Sequence, residues 1–71
     1  MMNLLHWRLL VAVADASNIS RAAEEVGMTQ SGASQAIAQL EASLGFAVFT
    51  RERRHVGVTA QGDRVVKEAR S

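Results

Sequence analysis

Three polar residues recur along one stretch of the chain at a spacing that places them together on a helix. Ser31, Gln35 and Gln39 follow each other at intervals of four, and Ala38 and Ala42 fall between and after them. On a helix with 3.6 residues per turn these five side chains share one face, which carries hydroxyls, amides and methyls and no charge. Amides and hydroxyls hydrogen-bond base edges in the major groove of double-stranded DNA, and that groove admits a helix. The face therefore favours recognition of double-stranded DNA.

The stretch 29–45 is predicted to form the helix that presents this face. Ala33, Ile37, Leu40 and Leu44 recur at intervals of four, three and four, which places them on one apolar stripe away from the polar face. The stretch begins with a threonine, which can accept an unpaired backbone N–H, and it ends with a glycine, which readily terminates a helix. We expect the other elements to be arranged around this helix.

A short helix is predicted immediately before it. Ser20 is a suitable N-cap, residues 21–26 follow as a helix of under two turns, and Gly27 ends that helix because glycine adopts a left-handed backbone without penalty. Residues 27–29 form the turn into the long helix. This order is that of a helix-turn-helix, whose second helix enters the major groove, although many helical hairpins share it.

The first helix is predicted to supply core. It would start at the cap residue Asn3 and run to about Ala16, and His6 and Arg8 interrupt an apolar run that is too short to span a bilayer. With Val13 at the margin, its expected buried stripe consists of Leu4, Trp7, Leu10, Val11 and Ala14. We expect a cytoplasmic protein with no export signal and no membrane contact.

Two short β-favouring runs follow the long helix. Residues 47–50 and 56–58 are predicted to pair as a hairpin, with the basic segment 51–55 at its tip. Such a hairpin is typical of a winged helix, in which arginines reach phosphates or the adjacent minor groove. A last helix would begin at the cap residue Thr59, and Gly62 in its first turn should weaken it locally.

Composition and charge agree with a small helical domain that contacts a polyanion. The 71 residues contain no cysteine or proline and only three aromatic residues, which favours helices and excludes disulfides. The net charge of +1 is uneven, because residues 1–50 hold two arginines and four acids whereas residues 51–71 hold six basic and three acidic residues. Contact with nucleic acid and a solvated C-terminal tail explain this asymmetry equally well.

Two consecutive blocks of the chain resemble the N-terminal DNA-binding region of LysR-type transcriptional regulators. The first is SRAAEEVGMTQSGASQAIAQLEASLG at 20–45, in which Leu40-Glu41 and Leu44-Gly45 match the family's Leu-Glu...Leu-Gly run. The second is FAVFTRERRHVGVTAQG at 46–62, which closes on Val58-Thr59-Ala60-Gln61-Gly62 where the family has Leu-Thr-x-x-Gly. The joint pattern over about forty residues is far more specific than either half.

The resemblance implies a mainly α fold, a winged helix-turn-helix of three helices and a two-stranded wing. Residues 1–58 would form this DNA-binding domain, and residues 59–71 would begin a linker helix through which two subunits dimerise. Members of the family regulate transcription in bacteria, and their full-length chains carry a C-terminal domain that binds a small-molecule effector. That domain is not among these 71 residues. The implied partners are an inverted-repeat DNA operator and a second copy of the chain.

The resemblance also implies which residues contact DNA. The positions that face DNA at the start of the recognition helix are matched by Gln30, Ser31, Ser34 and Gln35, with Gln39 as an outlying candidate. Wing arginines are matched by Arg53 or Arg54. The family often has proline at the position of Ser31 and a basic residue at Gln35 and Gln39, so the resemblance alone does not assign phosphate or guanine contacts to those places.

These residues suggest a division of roles. Gln30 and Gln35 each offer a donor and an acceptor, the combination that reads adenine, while Ser31 and Ser34 are more permissive. The candidates for the DNA backbone or minor groove are Arg21, Thr29, Arg51, Arg53 and Arg54. The candidates for the dimer contact are Val65, Val66 and Ala69, and the alternative is that these three pack on the first helix of the same chain.

Other kinds of function have little support in the sequence. His6 and His55 are too few and too far apart to indicate a metal site, and no serine has a histidine and an acid arranged for catalysis. We therefore expect no enzyme activity, no metal and no cofactor. The remaining alternative is a winged helix whose uncharged face, with small residues such as Ala38 and Ala42, docks on another protein instead of DNA.

Overall fold

The computed structural model describes residues 4–51 and 55–71, with only the backbone at Arg51. The elements are α1 (Leu4–Ala16), α2 (Ile19–Val26), α3 (Gln30–Leu44), β1 (Phe49–Arg51), β2 (Val56–Val58) and α4 (Ala60–Arg70). The predicted fold, mainly α with a helix-turn-helix and a two-stranded wing, is confirmed. None of the described helices is long and apolar enough to cross a bilayer.

One core holds the elements together, and α1 lies at its centre in contact with α2, α3, α4 and β2. Its largest fully buried side chains are Leu9, Leu10, Ile37, Val13 and Val48. Alanines in both α2 and α3 are also buried, which allows the two helices of the helix-turn-helix to pack closely. The apolar stripe of α3 therefore faces the core.

The buried face of α1 differs from the predicted stripe. Leu4 is 74% exposed, whereas Val13, which was expected at the margin, is completely buried, and Leu9 is buried beside it. Trp7 and Val11 are half-buried. All but three of the thirteen residues of α1 are apolar, so hydrophobic periodicity along this helix cannot distinguish its core face from its neighbours.

Helix α2 begins two residues earlier than predicted. Asn18, in extended backbone conformation, is the N-cap, and its side chain accepts the backbone N–H of Arg21 at 3.0 Å. Ser20, the expected cap, already lies inside the helix. The helix ends as predicted at Gly27, which has a φ of +78°.

The wing begins later than the sequence indicated. β1 and β2 pair antiparallel with Phe49 opposite Val58, and β1 starts at Phe49 rather than at residue 47. The cause is that the backbone of Val48 is bonded elsewhere, its N–H to Glu41 and its carbonyl to Thr59. Residues 52–54 of the predicted hairpin tip lie outside the described residues.

Gly62 has a packing role that the sequence did not predict. It is buried in the first turn of α4, and a Cβ at this position would overlap the backbone carbonyl of Val48. Thr59 caps the same turn as expected, since its hydroxyl accepts the N–H of Gly62 at 2.9 Å. Gly62 therefore permits close packing between α4 and the start of the wing, which offsets its poor helix propensity.

Candidate nucleic-acid interface

The outer face of α3 is open and carries no charge. Its exposed residues include five with polar or methyl groups on the predicted face, namely Ser31, Gln35, Ala38, Gln39 and Ala42. Gln30 is exposed at the start of the helix, and Ser34 is half-buried. The structure thus brings the five predicted base-contacting residues onto one helix, with Ser34 the least accessible of them.

Capping at Thr29 fixes the start of this helix. The Thr29 hydroxyl accepts the N–H of Gly32 at 3.0 Å, and Thr29 is exposed. The first backbone N–H groups of a helix lack helical partners and carry positive partial charge, so they favour an anion such as phosphate. Thr29 lies at this helix end, and its hydroxyl hydrogen can still be donated.

Of the four arginines predicted to contact DNA, the structure describes the side chain of Arg21 alone. Arg21 lies exposed in the first turn of α2, beside the Asn18 cap. The backbone of Arg51 closes the β ladder opposite Val56, but its side chain lies outside the described residues, as do Arg53 and Arg54 entirely. The wing contacts predicted for these three arginines remain predictions.

The junction between α3 and the wing contains a residue that the sequence analysis did not assign to the site. One carboxylate oxygen of Glu41 accepts the backbone N–H of Val48 at 2.7 Å and that of Phe49 at 3.2 Å. Glu41 lies in the last turn of α3, where the helix dipole disfavours a negative charge. An acid at such a position is a signal that it has donors nearby.

A second anchor ties the far side of the wing to the helices. The N–H of Val56, the first residue of β2, donates to the carbonyl of Ser17 between α1 and α2 at 3.0 Å. Both strands are therefore attached to the helical body at residues close to the basic segment. These bonds fix the orientation of the wing relative to α3, whose polar face is open and whose C-terminal end lies beside the hairpin.

A family model of bacterial regulatory helix-turn-helix proteins, lysR family, matches residues 4–63. The chain belongs to the LysR family. It is 44% identical over 61 residues to the HTH-type transcriptional regulator IlvR of Caulobacter vibrioides, an alignment that covers 86% of this chain and 21% of that protein. It is 40% identical over 68 residues to the Hca operon transcriptional activator HcaR of Escherichia coli, covering 96% of this chain and 23% of that one. The chain thus spans about a fifth of the length of these relatives, which are transcriptional regulators.

Solved structures show the same fold. The DNA-binding domain of CbnR in complex with DNA superposes with a TM-score of 0.90 at 30% identity, covering 97% of this chain and 79% of that one. The DNA-binding domain of BenM, in complex with benA site 1 DNA, gives a TM-score of 0.88 at 32% identity, covering 96% and 76%. The agreement extends over nearly the whole LysR-family chain, α4 included.

Helix α4 of this LysR-family chain places the three predicted dimer residues differently. Val66 is 3% exposed and belongs to the core of its own chain, which agrees with the alternative of packing within the chain. Val65 is half-buried against that core. Ala69 lines an open groove of about 560 Å³ between α1, the end of α2 and α4, together with Trp7 and Val11. For Val65, Val66 and Ala69 the dimer contact remains a prediction.

An ion pair joins the ends of α1 and α4 at the rim of this groove. The Arg70 guanidinium donates to both carboxylate oxygens of Asp15, at 2.5 and 3.4 Å. This hydrogen bond lowers the pKa of Asp15 and raises that of Arg70. Both side chains are largely solvated, so the pair contributes little to stability and is weakened by salt. It nevertheless links the last turn of α4 to α1.

Proposed function

We propose that this chain is the DNA-binding module of a LysR-type transcriptional regulator and binds double-stranded DNA in a sequence-dependent way. The observation that carries the proposal is the open, uncharged face of α3, presented by a helix-turn-helix. The solved complexes of the CbnR and BenM DNA-binding domains with DNA support it, because this chain shares their fold. Helix α3 would enter the major groove, and the wing would lie on the backbone or adjacent minor groove.

The roles of individual side chains follow from their chemistry and position. Gln30 and Gln35 would read base edges, with Gln39 at the limit of reach. Ser31 would reach a base or a phosphate, whereas Ser34, which is half-buried, would approach only a base that lies close to the helix. Thr29, at the positive end of α3, would contact a phosphate.

Sequence-independent affinity would come from the arginines. Arg21 at the start of α2 and Arg51, Arg53 and Arg54 of the wing would neutralise phosphates, because the reading face itself supplies no positive charge. A single copy with this charge distribution would bind weakly. A second copy bound to the same DNA would therefore raise the affinity of the module for its site.

The domain organisation is part of the proposal. Residues 1–58 would form the DNA-binding domain and residues 59–71 the first part of a linker helix, through which two copies bind an inverted repeat with half-sites near whole helical turns apart. A small-molecule effector would act through a C-terminal domain that these 71 residues do not include. A regulator of this kind works in the bacterial cytoplasm and does not itself catalyse a reaction.

Selection from random duplexes tests the proposal. The purified chain is incubated with a random-sequence library, bound duplexes are recovered over several rounds, and the selected duplex is compared with an unselected one by fluorescence anisotropy. We expect an inverted repeat to be enriched and to be bound more tightly than the unselected duplex. Absence of binding to any duplex at low salt would contradict the proposal and favour a protein-docking winged helix.

A further inference from the structure

The carboxylate of Glu41 links α3 directly to the start of the wing. It accepts two successive backbone N–H groups, those of Val48 and Phe49, across a separation of seven and eight residues in the chain. We propose that Glu41 is a positioning residue for DNA binding, one that sets the wing against α3 without touching DNA. This inference rests on the function proposed above.

The bonds of Glu41 lie at the point where the chain leaves α3. The backbone carbonyl of Glu41 accepts the N–H of Gly45 at 2.9 Å and so closes the helix, while its side chain holds the two residues that precede and open β1. Arg51 stands two residues beyond Phe49 in the same strand. A displacement of Val48 and Phe49 would therefore displace the backbone of Arg51 relative to the α3 face.

Val48 gives this link its rigidity. Its side chain is completely buried, and its carbonyl accepts the N–H of Thr59 at 2.9 Å. Both backbone polar groups of Val48 are therefore bonded, the N–H to Glu41 of α3 and the carbonyl to Thr59 at the start of α4. The rest of β1 extends from this anchored residue.

The charge of Glu41 and its hydrogen bonds would affect DNA binding differently, so substitutions can separate them. A carboxylate repels phosphates, so if charge alone mattered, its removal would strengthen binding to every duplex. If the hydrogen bonds matter, the reach of the side chain decides the result and the charge is secondary. The two explanations predict different effects for two conservative substitutions: charge alone predicts tighter binding by Glu41→Gln, and reach predicts weaker binding by Glu41→Asp.

The test compares Glu41→Asp with Glu41→Gln in the 71-residue chain. Aspartate keeps the charge but is one methylene too short to reach both N–H groups, whereas glutamine loses the charge but keeps the reach and one acceptor oxygen. We expect Glu41→Asp to weaken binding about tenfold on both a selected and an unselected duplex, with a salt slope shallower by about 0.9, as for one lost phosphate contact. Glu41→Gln should stay within about threefold of the unchanged chain, and both variants should keep its preference for the selected duplex.

The matched controls are Glu68→Asp and Glu68→Gln, at an exposed acid on α4. Neither should change affinity by more than about threefold. Circular dichroism verifies that each variant is folded at the temperature of the assay, and amide NMR shifts of Val48 and Phe49 report the link in the free chain. The amide shifts should move in Glu41→Asp and largely stay in Glu41→Gln.

Three results would overturn the inference. The first is Glu41→Asp binding like the unchanged chain while Glu41→Gln binds more tightly, which is the signature of charge alone. The second is that the amide NMR shifts of Val48 and Phe49 stay unchanged in both variants. The third is that the chain without substitutions binds no duplex. This result would contradict the proposed function as well, whereas the first two would contradict only the role of Glu41.

Discussion

The backbone carbonyl of Val48 accepts hydrogen bonds from both the N–H and the hydroxyl of Thr59, at 2.9 and 3.2 Å. The same hydroxyl proton is shared with the nearer carbonyl of Ala47, at 2.6 Å, and the hydroxyl oxygen accepts the N–H of Gly62. Thr59 thus begins α4 and at the same time holds the start of the wing. The orientation of the wing and that of the last helix are set at one place.

Replacement of Gly62 by alanine should strongly destabilise the fold. The new Cβ would overlap the carbonyl of Val48, and that carbonyl cannot retreat without breaking its bonds to Thr59. We expect a loss of about 1–3 kcal/mol in the free energy of unfolding, measured by urea denaturation. The neighbouring exposed substitution Gln61→Ala is the control, with a change within about 0.5 kcal/mol. Equal stability of both variants would show that the packing at Gly62 is looser than described.

The two candidate caps of α2 can be separated by mutation. The Asn18 side chain accepts the N–H of Arg21, so Asn18→Ala should cost about 1 kcal/mol of unfolding free energy. Ser20 lies inside the helix and is exposed, so Ser20→Ala should be close to neutral or slightly stabilising. Thermal unfolding of the two variants provides the comparison. A larger loss for Ser20→Ala would restore the cap position predicted from the sequence.

The ion pair between Asp15 and Arg70 should make stability depend on pH at the acidic end. Arg70 holds the pKa of Asp15 below its ordinary value of 3.8, so the stabilisation is present above that value and is lost as the pH falls through the lower pKa of the folded state. The melting temperature of the unchanged chain should exceed that of Asp15→Asn slightly at pH 7, and the difference should disappear on acidification. High salt should reduce it as well. A difference that persists at the lowest pH would mean that Asp15 acts through something other than its charge.

Sequence preference should reside in Gln35. A bidentate amide contact with adenine contributes about 1–3 kcal/mol of discrimination, so Gln35→Ala should reduce the ratio of affinities for selected and unselected duplexes about tenfold or more. Arg53→Ala should weaken both duplexes by a similar factor and leave the ratio unchanged. Gln61→Ala, an exposed glutamine on α4, is the matched control. If Gln35→Ala lowers affinity equally for both duplexes, Gln35 does not read bases.

Capping residues and glycines made the ends of the helices predictable from the sequence. The features that could not be predicted depend on contacts between residues far apart in the chain or on a helix that is apolar on nearly every side. Thr29, Gly27 and Gly45 act where the sequence placed them, because caps and left-handed glycines depend on neighbouring residues alone. The core face of α1 was not predictable, because that helix is apolar on nearly every side. The packing role of Gly62 was not predictable, since the carbonyl that it meets is fourteen residues away in the chain.

The candidate site shows the same division between local and distant information. The uncharged face of α3 follows from helical spacing, and its exposure agrees with that expectation. The bonds from Glu41 to Val48 and Phe49 require the chain to turn back after Gly45, and no local pattern specifies that geometry. The position of Glu41 in the last turn of α3 was the available signal, because an acid is unfavourable there unless donors are close.

The most direct test of the central claim is the salt dependence of duplex binding by this chain. If Arg21 and the three wing arginines together neutralise about four phosphates per chain, the logarithm of the association constant should fall with the logarithm of salt concentration with a slope near −3.6, from about −0.9 per phosphate. Fluorescence anisotropy with a selected duplex at several salt concentrations measures the slope. A slope near that value, with tighter binding to the selected than to an unselected duplex, is the predicted result. Binding that is absent at low salt, or present but insensitive to salt, would contradict the account.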